Sequence, residues 1–265
     1  MNKSVEQLFS LHHQVAIVTG GAGMLGRQHA EILSDAGAQV VIADIKQDIC
    51  DEIAKKITSR NDITALGVEV DITDEKSVLQ MTKKIKEKFG KIDILINNAA
   101  GKPKNLFQKF EDYAVDDWEK VMAVNLRGVF LCSKVIGAEM VKQGKGIIVN
   151  IGSIYGLVGT DQRMYGTSGI NAPAVYAASK GAVINLTRYL ATYWAGKGIR
   201  VNTLSPGGVE NNQDLEFINQ YCGKTPLRRM ARKEDFKGAL LFLCSDASSY
   251  MTGANLVVDG GWTAW

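Results

Sequence analysis

A tyrosine and a lysine stand one helical turn apart in the segment Tyr176-Ala177-Ala178-Ser179-Lys180. A free tyrosine has a pKa of about 10 and exchanges protons poorly near neutral pH. A lysine cation close by stabilises the phenolate, so we predict that Lys180 lowers the pKa of Tyr176. The pair would then serve in general acid/base catalysis. Alone, this spacing is a weak signal, because a buried aromatic ring followed by a solvated lysine produces it equally well.

A glycine-rich turn lies near the start of the chain. The apolar run 15–19 leads into Gly20-Gly21-Ala22-Gly23-Met24-Leu25-Gly26, and a helical pattern follows to about Ala36. Strand, glycine turn and helix in this order are typical of a pyrophosphate site, since glycine permits close backbone approach and the helix start attracts negative charge. Asp44 ends the next strand, about 20 residues further on, where a carboxylate accepts hydrogen bonds from a ribose. Because this carboxylate repels a 2′-phosphate, the pattern predicts NAD(H); only Lys46 is placed to rescue NADP binding.

Apolar β-rich runs alternate with helical patterns along the chain. The predicted strands lie near residues 15–19, 39–43, 65–70, 93–97, 147–151, 199–204 and 255–258. This alternation predicts an α/β fold, a doubly wound parallel sheet of Rossmann type in one domain over residues 1–265. Ligands should then bind at the C-terminal ends of the strands, where the motifs fall.

Together these features resemble the compact branch of the short-chain dehydrogenase/reductase family. The resemblance extends to Asp71-Ile72, Asn97-Asn98-Ala99-Ala100, Asn125-Leu126-Arg127-Gly128, Ser153, Pro206-Gly207 and Asp259-Gly260-Gly261. It implies four catalytic residues, Asn125, Ser153, Tyr176 and Lys180. It also implies a substrate lid at 208–226 and a cofactor site made of Gly20, Gly23, Met24, Leu25, Gly26, Asp44, Asp71, Ile72, Asn98, Ala99, Ala100, Tyr176, Lys180, Pro206, Gly207 and Val209.

The same resemblance implies a reaction, the interconversion of a secondary alcohol and a ketone with NAD(H). Tyr176 would exchange the proton, and Lys180 would hold the ribose hydroxyls of the cofactor. Ser153 would hydrogen-bond the substrate oxygen, while Asn125 would hold a water through its backbone and side chain. No metal is expected.

Three departures from the family pattern bear on this interpretation. Met24 stands where the compact branch has its middle glycine, and Ala100 replaces another glycine. An extra segment, roughly 159–172, lengthens the stretch between Ser153 and Tyr176. Ser168 lies nearer Tyr176, but no strand precedes it, so we prefer Ser153. The glycine spacing leaves a sugar-nucleotide epimerase or dehydratase as one alternative and a non-catalytic NAD-binding regulatory protein as another.

The extra segment is polar, which favours a hydroxylated substrate over a steroid or an acyl chain. We therefore predict a sugar or sugar derivative. The chain also resembles gluconate-type dehydrogenases and, more loosely, oxidoreductases of flagellin-glycan biosynthesis. Lys102 and Lys104 after the fourth strand and Arg163 in the extra segment could grip an anionic substrate.

Composition excludes several classes of partner. The net charge is only +3, from 31 basic and 28 acidic residues, and the basic residues are dispersed, so nucleic acid is not expected as a partner. No apolar run approaches the roughly 18 residues of a membrane span, and residues 1–10 lack the apolar core of a signal peptide. Scattered cysteines at 50, 132, 222 and 244 suit a reducing compartment, as small buried residues. The prediction is a cytoplasmic protein.

Two helical patterns, roughly 117–142 and 174–195, carry more apolar surface than one sheet face can cover. Tyr189, Tyr193 and Trp194 lie late in the second pattern, and Trp262 and Trp265 lie in the tail. In relatives of this size the same helices pair between subunits. We predict a homotetramer, with a homodimer as the alternative.

Overall fold

A computed structural model describes residues 3–166 and 168–265. Thr167, which belongs to the extra segment, lies outside the described residues, as do Met1 and Asn2 of the N-terminal stretch. Seven parallel strands form one sheet in the order β3-β2-β1-β4-β5-β6-β7. The strands are β1 Val15–Thr19, β2 Gln39–Asp44, β3 Ala65–Glu69, β4 Ile94–Asn97, β5 Gly146–Ile151, β6 Ile199–Pro206 and β7 Asn255–Val258. The predicted doubly wound α/β fold is confirmed.

Helices cover both faces of this sheet, which is why the central strands are apolar at nearly every position. Every residue of β1, β4 and β5 is buried. One half of the core packs under α4, α6 and α7, and the other half packs under α2, α3 and α9. The helices are α1 Val5–Phe9, α2 Met24–Asp35, α3 Gln47–Arg60, α4 Glu75–Phe89, α5 Val115–Met122, α6 Val129–Gln143, α7 Ala174–Tyr193, α8 Leu215–Lys224 and α9 Lys237–Cys244.

The strand order reverses at β1, which pairs with β2 on one side and β4 on the other. A reversal of this kind opens a crevice at the C-terminal ends of the strands. The glycine turn after β1, Asp44 at the end of β2 and Asn98 after β4 all lie at this edge. The fold therefore brings together motifs that are far apart in sequence.

A π-helical stretch, Ala123–Gly128, joins α5 to α6 in one long helix. By length and composition alone, Val115–Gln143 could cross a membrane, so the expectation that no stretch is long and apolar enough is wrong. Of its most apolar window, 56% is buried against the rest of the protein, as in the core helix of a globular fold.

The aromatic residues expected at subunit contacts divide into two groups. Tyr189 and Tyr193 are exposed on α7, and their rings stack with centroids 5.7 Å apart. Trp194 is only 6% exposed and packs on Gly137, where an added Cβ would lie 2.8 Å from the indole Cζ2. Trp262 is likewise buried, whereas Trp265 is exposed. The expectation that Trp194 and Trp262 supply surface is therefore wrong, because both fill the interior.

The cysteines lie apart from one another in the fold. Cys50, Cys132 and Cys244 are buried, and Cys222 is half-buried. Burial raises the pKa of Cys50 to about 11 and the pKa of Cys132 and Cys244 to about 12. These three thiols stay protonated and pack as small apolar side chains.

Candidate active site

A cleft of about 490 Å³ opens at the C-terminal edge of the sheet, where the strand order reverses. Most of the predicted cofactor residues line it, together with Tyr176 and Lys180. The lining consists of Gly20, Gly23, Met24, Leu25, Gly26, Ala43, Asp44, Ile45, Val70, Asp71, Ile72, Thr73, Asn98, Ala99, Ala100, Gly101, Lys102, Val124, Ile151, Tyr176 and Lys180.

The glycine turn is fixed against the loop that follows β4. The Asn98 side-chain amide donates to the carbonyls of Thr19 and Gly20, at 3.0 Å each. Gly20 has a φ of +62°, and a Cβ there would lie 2.7 Å from the Cα of Ala99. Only glycine satisfies both the backbone angle and this close approach.

The start of α2 faces the cleft. Its N-cap is Gly23, which offers no side-chain cap, so the first-turn N–H groups remain for a negatively charged group. The helix dipole adds to the attraction. Met24 occupies the first helical position and lines the cleft without closing it. Among the residues described, this cradle fits the pyrophosphate of a dinucleotide.

Asp44 is tied to the glycine turn. Its carboxylate accepts hydrogen bonds from the Ala22 N–H at 3.0 Å and from the Ile45 N–H at 2.8 Å. Both bonds hold the negative charge at the wall of the cleft. Asp71 lies further along the same wall, where its carboxylate accepts from the Thr73 N–H at 2.8 Å, and Ile72 beside it is buried.

Tyr176 and Lys180 lie in the first half of α7, as the spacing predicts. The Lys180 Nζ lies 5.5 Å from the centroid of the Tyr176 ring and donates to the Ile151 carbonyl at 2.6 Å. Lys180 is 3% exposed, and burial lowers its pKa to about 8. A lysine ammonium is thus held beside the phenol and anchored to the end of β5.

The predicted lowering of the Tyr176 pKa by Lys180 does not appear among the protein's own groups. Burial raises the pKa of Tyr176, and the nearby Ser153 hydroxyl opposes that rise. The net direction is upward because burial disfavours the charged phenolate, even though the Lys180 Nζ lies 5.5 Å from the ring centroid.

Ser153 and Ser168 are clearly distinguished by position. Ser153 follows β5, is buried, and lies close enough to Tyr176 to affect its pKa. Ser168 is exposed and donates its hydroxyl to the Tyr165 carbonyl at 2.5 Å. The geometry favours Ser153, in agreement with the choice made from the sequence.

Asn125 lies in the π-helical stretch and is fully buried. Its Oδ1 accepts from the Gly101 N–H at 2.8 Å, and its Nδ2 donates to the Ser179 Oγ at 3.1 Å. The side chain thus joins the loop after β4 to the turn of α7 between Tyr176 and Lys180. One N–H of the amide and one lone pair of its oxygen remain, so the expected water-holding role stays a prediction.

Several predicted residues lie away from the cleft wall. Pro206 ends β6, the Gly207 N–H donates to the Val258 carbonyl at 2.9 Å, and Val209 bridges to Ala231. Arg163 is exposed and bound to Asp161 through two hydrogen bonds of 2.9 Å, so its guanidinium is occupied. Of the basic residues expected to grip an anion, Lys102 alone belongs to the described lining.

Comparison with known proteins agrees with this geometry. The family described as enoyl-(acyl carrier protein) reductase matches residues 20–263. A short-chain type dehydrogenase/reductase from Mycobacterium marinum is 32% identical, with a TM-score of 0.89 over 99% of this chain and 100% of that one. The chain belongs to the short-chain dehydrogenase/reductase family. As a member, it uses a nicotinamide cofactor and is an oxidoreductase of alcohol and carbonyl groups.

Two further relatives indicate the kind of reaction. The NAD-dependent glycerol dehydrogenase of Listeria innocua is 36% identical over 266 residues, which cover 98% of each chain. A gluconate 5-dehydrogenase from Burkholderia cenocepacia, solved in complex with NADP and tartrate, is 30% identical, with a TM-score of 0.90 over 99% of this chain and 100% of that one. This family member therefore interconverts a secondary alcohol and a ketone on a polar small molecule.

One group of residues beside the site was missed by the sequence analysis. An aromatic cluster contains Tyr155, Tyr165 and Trp262 together with residues of α8 that include Tyr221. Only the position of Tyr155, two residues after Ser153, could have suggested it. The others come from three separate segments that the fold brings together.

Proposed function

We propose that this enzyme is a cytoplasmic, NAD(H)-dependent dehydrogenase of a sugar or polyol, with Tyr176 as its proton donor and acceptor. The observation that carries the proposal is the placement of Tyr176, Ser153 and Lys180 together, at the end of a cleft whose other end is the glycine turn. When bound there, the nicotinamide cofactor supplies or accepts the hydride. The protein must then handle the proton and the charge on the substrate oxygen.

Each member of the site has a role in that proton transfer. The Tyr176 phenol donates to the developing alkoxide in reduction and accepts from the alcohol in oxidation. The Ser153 hydroxyl hydrogen-bonds the same substrate oxygen. Lys180 places a positive charge beside the tyrosine. Asn125 holds the turn of α7 between Tyr176 and Lys180 in position through its hydrogen bond to Ser179.

NAD(H) is favoured over NADP(H) by the fixed carboxylate of Asp44. Two backbone N–H groups hold it at the cleft wall, so it cannot swing away from a 2′-phosphate. Bringing a phosphate against that charge is unfavourable unless a cation intervenes. Lys46 is exposed at the start of α3 and remains the residue to examine if NADP is used.

A neutral polyol or keto-sugar is the first candidate substrate class, because the exposed Arg163 is bound to Asp161 and does not belong to the cleft lining. Lys224 shares the same carboxylate. Lys102 in the cleft lining favours a second candidate, a sugar acid. Neutralising Lys102 should leave KM unchanged for a neutral polyol and raise it, with a weaker salt dependence, for a sugar acid.

The segment 208–226, which contains α8, is proposed as the substrate lid.

The functional unit is proposed to be a homotetramer. Phe130, Tyr189 and Tyr193 are exposed at 47%, 60% and 57% on the outer faces of α6 and α7. All three line one depression of about 520 Å³. An apolar patch of this kind is typical of a subunit interface.

The test is a panel of polyols, aldoses, ketoses and sugar acids assayed with NAD, NADH, NADP and NADPH by the absorbance of the reduced cofactor. The expected result is turnover of at least one polyol or keto-sugar with NAD(H), at a higher kcat/KM than with NADP(H). Turnover of none of these compounds with either cofactor would contradict the proposal.

A further inference from the structure

The aromatic cluster beside Ser153 joins three segments that have no proximity in sequence. Its buried members are Ile154, Met164, Tyr221, Met230 and Trp262. Ring contacts link Tyr155 to Trp262 (6.1 Å between centroids), Trp262 to Tyr221 (6.1 Å), Tyr221 to Phe217 (6.0 Å) and Phe217 to Tyr165 (5.2 Å). The extra segment, α8 and the C-terminal tail therefore meet next to the proton-transfer residues.

Tyr155 lies two residues after Ser153 and is hydrogen-bonded to its side chain. The Tyr155 backbone N–H donates to the Ser153 Oγ at 3.2 Å. Burial raises the pKa of Tyr155, and the phenols of Tyr165, Tyr221 and Tyr176 are near enough to raise it further. A phenol of this kind stays neutral at physiological pH and can both donate and accept a hydrogen bond.

Tyr165 is held in place from two sides. It ends the 3₁₀ turn Gln162–Tyr165, whose N-cap is Asp161, and the Asp161 carboxylate pairs with Lys224 at the end of α8. Its ring packs on Phe217 of the same helix. Its hydroxyl lies near enough to the Tyr155 phenol for each to affect the pKa of the other. The extra segment therefore sets the position of a phenol pair.

The described residues of the cluster offer hydrogen-bonding groups and are all uncharged. Tyr155 and Tyr165 present neutral phenols, and Lys224 is paired with Asp161. The Trp262 Nε1 is buried, and no described residue accepts from it. A buried donor left without a partner is unfavourable, so a ligand that carries a hydrogen-bonding oxygen is better suited to this region than an alkyl chain.

We propose that Tyr155 determines specificity by hydrogen-bonding a hydroxyl group on the carbon next to the reacting carbon of the substrate, and that Tyr165 positions it. The proposal rests on the proposed function, because it requires Tyr176 and Ser153 to hold the reacting oxygen. Ser153 would then contact that oxygen while its neighbour two residues later contacts the adjacent one. A site built to bind a hydroxyl discriminates strongly against a substrate without it, because the polar groups are left unpaired.

The test uses two alcohols that differ by one adjacent hydroxyl, 2,3-butanediol and 2-butanol. Wild-type enzyme should oxidise the diol with the higher kcat/KM. Tyr155→Phe should lower kcat/KM for the diol about tenfold or more and leave 2-butanol within about twofold. Tyr165→Phe should change the same ratio in the same direction by less, because it acts through Tyr155. Tyr189→Phe, on the outer face of α7, is the matched control and should change neither substrate.

The NAD dissociation constant and the Tm of each variant show whether the fold and the cofactor site are intact. An equal loss for both alcohols in Tyr155→Phe, or no loss for either, would overturn the proposal. Wild-type enzyme that oxidises 2-butanol as well as the diol would overturn it too, while the proposed function stands. Wild-type enzyme that turns over neither these alcohols nor any polyol, aldose, ketose or sugar acid of the panel would remove the proposed function and this inference with it.

Discussion

Replacing Ser153 with alanine should move the pH at which the enzyme oxidises alcohols. Burial raises the pKa of Tyr176, and the Ser153 hydroxyl opposes that rise. A hydrogen bond to a charged group contributes about 1.5 to 3 kcal/mol. That free energy is a factor of about 10 to 100 in an equilibrium constant, so Ser153→Ala should raise the Tyr176 pKa and lower the phenolate fraction accordingly.

The sign of the effect on rate follows from the role of the phenolate. Oxidation requires Tyr176 to accept a proton, so kcat increases as the pH rises through its pKa. In Ser153→Ala this increase is displaced to higher pH. Below the wild-type pKa the phenolate fraction falls about 10- to 100-fold, and kcat should fall at least as much.

The assay is kcat for alcohol oxidation as a function of pH, at saturating NAD and alcohol. Ser168→Ala is the matched control, because that hydroxyl is exposed and bonds the Tyr165 carbonyl. A profile with the wild-type midpoint, lowered uniformly, would show that Ser153 only orients the substrate. An equal displacement in Ser168→Ala would refute the assignment of Ser153.

The remaining predictions concern the tyrosine, the cofactor and the assembly. Tyr176→Phe should lower kcat at least about 100-fold, because the phenolic proton is lost. NADH binding should stay within a few-fold of wild type, because the ring packing is kept. Retention of more than about a tenth of wild-type kcat would speak against Tyr176 as the acid/base. Asp44→Asn should raise kcat/KM for NADP relative to NAD, because the charge that repels the 2′-phosphate is gone, and an unchanged ratio measured with both cofactors would count against it. If the proposed tetramer forms, Tyr193→Glu should lower the mass measured by light scattering, and a wild-type mass near 28.8 kDa at micromolar concentration would exclude the tetramer.

Much of the fold follows from the sequence because a parallel sheet covered on both faces leaves a plain signal. Runs such as 15–19 and 147–151 are apolar at four of five positions, and the structure places strands within a residue of both. The sequence also predicts that Asp44 lies beside the glycine turn, because Asp44 ends β2, the turn follows β1, and these two strands are neighbours. Tyr176 and Lys180 were found because their spacing equals one helical turn.

What could not be predicted depends on contacts between distant segments. Helical periodicity marks an apolar face but does not say what covers it, so Trp194 could not be distinguished from Tyr193. The Tyr176 pKa depends on burial, which the sequence does not reveal. Arg163 reads as a free cation until the fold shows Asp161 beside its guanidinium.

The π-helical stretch Ala123–Gly128 makes the long helix intolerant of a change in its number of residues. A π turn holds an extra residue compared with an α turn. Deleting one residue there would restore a regular α-helix and rotate α5 by about 100° about its axis relative to α6. If Asn125 kept its bonds to Gly101 and Ser179, this rotation would carry Val121 out of its buried contacts with Leu106 and Val175. Insertions and deletions should therefore be absent from this stretch in working variants of the enzyme.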